Sequence, residues 1–185
     1  MQRTGTLALS VAVICALILG GCSSSTVSSF TPLATGLAPR GPVVSDVPVL
    51  RVVDGDTIHV LMAGRDTTVR LLGINTPETV KPNSPVECFG PEASAFAKNT
   101  LEGQRLTLEF DDSQGRLDKY GRTLAYVWLP VATGGLDLFN RDLVAQGYAY
   151  QRQYGINPVA WQSELIQAQQ HAQTAGSGLW GACRS

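Results

Sequence analysis

The sequence predicts an α+β fold, mainly β, in which five strands form a Greek-key barrel accompanied by three helices. Three observations predict it. From Pro48 onward, short runs rich in Val, Leu, Ile and Thr alternate with turn residues, the pattern of short strands in succession. Three other segments carry apolar residues at helical spacing with recognisable start and stop residues. The first of these segments falls between the third and fourth strand runs, which is the element order of a small barrel.

The elements follow in order. "VLRVV" (49–53) is the first strand, "DGD" (54–56) a tight turn, "TIHVLM" (57–62) the second strand, "AGRD" (63–66) a hairpin turn and "TTVRLLGI" (67–74) the third strand. "GPEASAFAKNTLEG" (90–103) is the first helix. Pro91 suits its first turn, Glu92 complements the positive end of the dipole, Phe96 and Leu101 share a buried face and Gly103 stops it. "RLTLEF" (105–110) and "RTLAYVWL" (122–129) are the fourth and fifth strands, separated by the polar "DDSQGRLDKYG". "LDLFNRDLVAQG" (136–147) is a second helix ended by Gly147. "NPVAWQSELIQAQQHAQTAG" (157–176) is a third, with Asn157 as cap, Pro158 next, Trp161, Leu165, Ala168 and Ala172 on one face and Gly176 beyond its end. Five strands with a helix after the third define an OB-type barrel, the architecture that binds oligonucleotides or oligosaccharides. No internal repeat interrupts the pattern.

The 185 residues are 44% hydrophobic and 16% charged, ordinary for a globular chain with one core. The first 21 do not belong to that core. A single positive charge at Arg3, an apolar run from Leu7 to Leu19 and a small-residue end constitute a secretory signal, and the run is shorter than the ~20 residues of a membrane-spanning helix. "LGGC" resembles a bacterial lipobox, in which Cys22 is lipidated and becomes the first mature residue. The expectation is therefore an exported lipoprotein on the outer face of a bacterial membrane or cell envelope. Residues 22–46, rich in Ser, Thr, Pro and Gly, read as a flexible lipid-anchored tether, and 47–185 as the domain. Outside the signal and Cys22, Cys88 and Cys183 remain. In an exported chain an isolated pair reads as a disulfide, and no neighbouring Cys or His cluster suggests a metal pair.

Without the signal the chain has 13 basic and 15 acidic residues, a net charge of −2. Such a protein is not held to nucleic acid by its overall field, so any polyanion must meet a local patch. Three short stretches offer one. "VVDGDTI" places Asp54 and Asp56 in a turn, "RLLGINTPE" places Arg70 on a strand with Asn75, Thr76 and Glu78 in the following loop, and "DKYGR" places Lys119, Tyr120 and Arg122 at the start of another strand. Each alone is a common turn or helix start. Together they supply carboxylates and carbonyls for a hard divalent cation and guanidinium groups for phosphate, the requirements of metal-assisted phosphodiester chemistry. His59 and His171 lie outside all three stretches and are read as structural.

Taken in order, "VVDGDTI", "VRLLGINTPE", "CFGPEASAFAK", "LEFD", "DKYGRTLAYVW", "LVAQGYA" and the C-terminal helix resemble the staphylococcal nuclease (thermonuclease) family of calcium-dependent nucleases, over about 130 residues from Val49 to Trp180. The resemblance implies a five-stranded barrel with three helices, a monomer, and hydrolysis of DNA and possibly RNA to ends carrying 3′-phosphate. It implies Asp56 and the Thr76 carbonyl as Ca²⁺ ligands, other divalent cations being possible, with Asp54 just behind. It also implies Glu78 as the group that positions or deprotonates the attacking water, and Arg70 and Arg122 on the phosphate. Lys119 and Tyr120 would flank the substrate, and Tyr150 or Tyr154 would supply an aromatic platform. "ECFG" and "LWGAC" resemble the loop and tail of secreted members that carry a disulfide.

Two departures stand out. The family's second acidic metal ligand falls on Asn75, whose amide oxygen can coordinate Ca²⁺ without contributing charge. Only three lysines and the negative net charge imply weak long-range attraction and an activity that falls steeply with salt. A barrel that binds nucleic acid without cutting it is the alternative expectation.

Overall fold

The computed structural model describes residues 36–79, 85–132 and 134–183. The expected signal, Cys22 and the tether up to residue 35 lie outside the described residues. Strand β1 (Val43–Asp54) is long, and its pairing register shifts at three places. Its first half pairs with β5 (Arg105–Glu109) and its second half with β2 (Thr57–Met62), and these irregularities bend one strand enough to serve both partners. β2 pairs with β3 (Arg65–Leu71), β5 with β6 (Thr123–Pro130), and a parallel ladder between β3 and β6 closes a five-stranded barrel. The predicted fold class is therefore the observed one. Closure removes the exposed edges that an open sheet would present.

The turn joining β2 to β3 is a two-residue one in which Ala63 and Gly64 both have positive φ, matching the twist of a tight hairpin. Inside the barrel, Ile58, Val60, Val69, Leu71, Leu106 and Leu108 are buried, as period-two alternation requires. β6 is buried on both sides, Tyr126 and Trp128 as fully as Ala125 and Val127, because helices cover its outer face. α1 (Gly90–Leu101) buries Ala93, Ala97 and Leu101 at four-residue spacing, with Pro91 and Glu92 in its first turn as expected. Phe96, half buried, stacks between Tyr148 and Phe139.

Four boundaries differ from those the sequence suggests. The third strand, read as 67–74, runs Arg65–Leu71, because the hairpin turn takes only Ala63 and Gly64 and the chain turns again at Leu72 and Gly73 before Ile74. Leu136–Leu138 is strand β7, paired with the end of β6, so the second helix, α2, is only Phe139–Ala145. The third helix, α3 (Gln162–Ala175), begins five residues after Asn157. Tertiary bonds hold the intervening residues: the carbonyls of Asn157 and Pro158 accept from Gln114 Nε2, and Ala160 N–H donates to Asp111. Leu165, Ala168 and Ala172 form its buried face and Gly176 its left-handed cap, as expected. Residues 40–46, assigned by composition to the tether, pack on the barrel. The N–H groups of Arg40 and Gly41 donate to Glu109, β1 starts at Val43, and the Arg40 guanidinium lies 3.7 Å over the Trp161 ring.

Short strands β4 (Ile74–Asn75) and β8 (Tyr150–Gln151) pair with each other outside the barrel. A last turn, α4 (Leu179–Ala182), carries Cys183 to Cys88, and the two are joined with Cα atoms 5.8 Å apart. His59 contacts Asp66 and Arg51 on the barrel surface, away from the three chemistry-bearing stretches.

A buried charged group sits at the start of α2. Arg141 Nη2 reaches both Asp137 Oδ1 and Asp142 Oδ1 at 3.0 Å, so two carboxyl groups share one cation. Burial and then the charge of Asp137 push the Asp142 carboxyl up to about 7. The unfolded chain releases this proton near pH 4 and the folded chain holds it until about 7, so the folded state binds more protons in that window. This contribution to stability is complete below about pH 4 and is lost as pH rises through 7. Asp142→Asn should flatten the decline between pH 5 and pH 8 in urea denaturation, and an unchanged slope would overturn the assignment.

Candidate active site

The site is assembled by register. In the β2–β3 ladder Thr57 faces Arg70, which brings the 54–56 turn beside the arginine, and Leu71 N–H donates to the Asp56 carbonyl at 2.9 Å. The parallel ladder places Arg70 opposite Leu124, two residues beyond Arg122. Barrel closure thus collects at one end the three stretches that are separate in sequence.

Asp56 and Arg70 are buried and paired. Arg70 Nη2 lies 3.0 Å from Asp56 Oδ2, which also accepts from Thr76 N–H at 2.8 Å, while Asp56 Oδ1 accepts from Thr57 Oγ1. Arg70 Nη1 donates to the Leu71 carbonyl, and Nη2 also donates to Asn75 Oδ1 and the Tyr154 hydroxyl, each at 3.1 Å. This network fixes the guanidinium plane. Asp54 Oδ1 accepts from Asp56 N–H at 3.0 Å, and burial followed by the Asp56 charge pushes its carboxyl up to about 6.

Gly55 has a packing reason beyond its turn. A Cβ there would lie 2.6 Å from Thr76 Cγ2, so the absent side chain lets the two loops touch. Gly55→Ala should displace the Thr76 carbonyl and lower cleavage at least tenfold with the fold retained, a 1 Å misplacement costing up to about 10²-fold. Steady-state kinetics beside a circular dichroism melt would check it.

Asn75 differs from expectation in what it touches. Its Oδ1 accepts from Arg70 and, at 2.6 Å, from the Tyr154 hydroxyl, while Nδ2 donates to the Thr76 carbonyl at 3.2 Å. Both lone pairs of the amide oxygen are engaged, so coordination by Asn75 requires one of these donors to leave. Between the two tyrosines, Tyr154 is the one at the site; Tyr150 lies in β8, edge-on to Trp180 at 5.3 Å.

Arg122 is held by Asp118, which accepts from its backbone N–H at 2.9 Å and its Nε at 2.7 Å. Burial alone would raise the Asp118 carboxyl, but the N–H groups of Arg122 and Tyr120 and the guanidinium outweigh it and keep it below the usual range. The Asp118 side chain also caps the turn through Tyr120 N–H, and the turn ends at Gly121 with φ 78°. Tyr120 is exposed, with Lys119 Nζ 4.9 Å and the Arg122 guanidinium 5.3 Å from its ring centre. Glu78 follows β4, its Oε1 accepting from Thr79 N–H and its own N–H donating to Glu87 Oε2, both at 2.9 Å. Sequence reasoning missed Asp118 and Glu87, and it left the choice between Tyr150 and Tyr154 open. Asp at the head of the Asp-Lys-Tyr-Gly turn was a readable signal; nothing local links Tyr154 to a residue 79 positions away.

The donor chemistry fits a hard cation. Two crowded carboxyl groups, an amide oxygen and a carbonyl, all hard oxygen donors, lie on the loops around Arg70, and among the described residues no group of three His, Cys, Asp or Glu is placed to hold a metal, so a cation here would draw on the amide and carbonyl oxygens too.

Fold and site together define an OB-type barrel whose end presents fixed guanidinium groups beside an oxygen-rich loop. A model of the family described as staphylococcal nuclease homologue matches residues 68–182. The chain is 45% identical to a thermonuclease of Staphylococcus hyicus over 132 residues, covering 71% of this chain and 73% of that one. It is 46% identical to a thermonuclease of Staphylococcus intermedius, covering 71% and 74%. It is also 42% identical to the endonuclease YncB of Bacillus subtilis (strain 168) over 106 residues, 57% of this chain and 50% of that one. The chain belongs to the staphylococcal nuclease family.

Proposed function

We propose that this protein is a nuclease that hydrolyses phosphodiester bonds of DNA and RNA with Ca²⁺, leaving 3′-phosphate ends, and that it acts outside the cell from a lipid anchor at Cys22. The observation that carries the reading is Arg70, buried and fixed between Asp56 and the Asn75 loop, with nuclease relatives of 45% and 46% identity in support. Asp56, the Thr76 carbonyl and the Asn75 amide oxygen would hold the cation, with Asp54 behind them. When bound, the cation supplies Lewis-acid polarisation of a phosphoryl oxygen and lowers the pKa of a nearby water.

The remaining steps belong to the chain's own groups. Arg70 donates to the phosphate oxygens through a guanidinium already oriented by three acceptors and the tyrosine hydroxyl, so little reorganisation is needed as charge accumulates. Arg122 shares itself between Asp118 and the phosphate. Glu78 orients the attacking water and accepts its proton. The water oxygen bonds to phosphorus, the bond to the 5′ oxygen breaks and that oxygen takes a proton from solvent water, to which Glu78 later returns its own, while Lys119 and Tyr120 steady the strand.

Digestion of DNA and RNA by the purified protein across a Ca²⁺ titration tests this, with EDTA and Glu78→Ala as controls. Cleavage that requires Ca²⁺ and is lost in Glu78→Ala is expected; no cleavage at any millimolar Ca²⁺ would sink the reading. Asn75→Asp should move the Ca²⁺ midpoint down by about ten- to a hundredfold, since a carboxylate adds charge where the amide has none. The alternative, a barrel that binds without cutting, is favoured by the engagement of both Asn75 lone pairs and predicts binding unaffected by Glu78→Ala.

A further inference from the structure

Beside Asn75 and Tyr154 a cleft of about 430 Å³ is walled by Tyr150, Gln151, Arg152, Gln169 and Trp180. We propose that this cleft is a second nucleotide subsite, which takes the residue adjacent to the one whose phosphate Arg70 grips. The inference rests on the nuclease reading for its place in the reaction, and on the cleft itself for its ligand chemistry.

Four observations define that ligand. No acidic residue lines the cleft, and Arg152 brings to it a guanidinium with no carboxylate partner among the described residues, so the cleft suits an anion in a chain of net negative charge. Arg152 is fixed at its backbone by a 2.8 Å bond from its N–H to the Gly73 carbonyl, and its guanidinium lies 5.8 Å from the Tyr154 ring on which Arg70 also bears at 5.6 Å. Tyr154 therefore has both guanidinium groups within about 6 Å of its ring. The edge-on pair of Tyr150 and Trp180 gives the cleft an aromatic wall, the surface on which a base packs. Finally, Gln169 lines the cleft with a side-chain amide whose Oε1 accepts from Gln151 N–H at 2.8 Å, and whose NH2 is a donor type that suits a ring acceptor. An anionic group joined to a flat ring bearing acceptors is a nucleotide. It can arrive as the next residue of the strand or as a free mononucleotide product.

The test compares a dinucleotide with a tetranucleotide containing one scissile bond, in Ca²⁺, for wild type, Arg152→Gln and Trp180→Phe. Arg152→Gln should raise KM for the tetranucleotide on the order of fivefold, leave kcat and the dinucleotide constants unchanged, and lower the salt slope of binding by about one phosphate's worth, ~0.7 for a single strand. Trp180→Phe keeps an aromatic ring but trims the wall it shares with Tyr150, and should raise the same KM less. Equal constants for all three proteins on both substrates would overturn the proposal. If the wild type cleaves neither substrate the nuclease reading fails, yet the cleft is still read separately by tryptophan fluorescence in EDTA. Titration with tetranucleotide should change the signal in wild type and not in Trp180→Phe; no change in wild type refutes the subsite. A change with thymidine monophosphate alone identifies free product as an occupant, and a change with the tetranucleotide alone identifies the strand.

Discussion

Replacing Arg70 with lysine is expected to lower kcat by about 10²- to 10³-fold with little change in KM, because the lost interaction is one that strengthens as charge builds on the phosphate. Lysine keeps the charge but not the fork. Arg70 bonds Leu71, Asn75, Tyr154 and Asp56 through two nitrogens at 2.9 to 3.1 Å, and one ammonium cannot meet them and a phosphate in the same plane. Arg70→Ala has a second consequence, since it leaves the buried Asp56 carboxylate without its cation, a loss of about 3–5 kcal/mol of stability. Ca²⁺ bound at Asp56 should restore part of it, so the melting temperature of Arg70→Ala should respond more strongly to Ca²⁺ than that of wild type. Equal responses would show that Asp56 does not face the cation.

The second large effect is on stability. Glu109 is completely buried and accepts four N–H donors: Arg40 and Gly41 backbone at 2.6 and 2.8 Å on Oε1, and the indoles of Trp128 and Trp161 at 2.7 and 2.9 Å on Oε2. It joins β5, β6, the start of α3 and the segment leading into β1. Glu109→Ala orphans all four donors and opens a polar hole, which should reduce stability on the order of 4 kcal/mol in urea denaturation. Glu109→Gln keeps one acceptor and should lose clearly less. If the alanine variant loses under 1 kcal/mol, the carboxyl group is not what ties these elements together.

The sequence by itself determined the barrel. Alternation in "TIHVLM", the turn at Ala63 and Gly64, the Pro91 start of α1 and the Gly176 cap of α3 are local signals, and each is found where it was read. It also contained the chemistry, because Asp56, Arg70 and Thr76 lie in short stretches whose residue types are meaningful before folding. The β2–β3 register then follows from the short turn, and with it the proximity of Asp56 to Arg70. What only the tertiary structure decided depends on partners far along the chain. The start of α3 moved from Asn157 to Gln162 because Gln114 and Asp111 hold the residues between them. Leu136–Leu138 became strand because the end of β6 offered a ladder. Asn75, read from the sequence as a weakened metal ligand, gained a second role because Tyr154, 79 residues away, donates to the same oxygen that Arg70 does. A hydrogen bond across that separation has no local signature. Pattern and propensity act over a few residues, whereas the partner of a buried polar atom is chosen by how the whole chain closes.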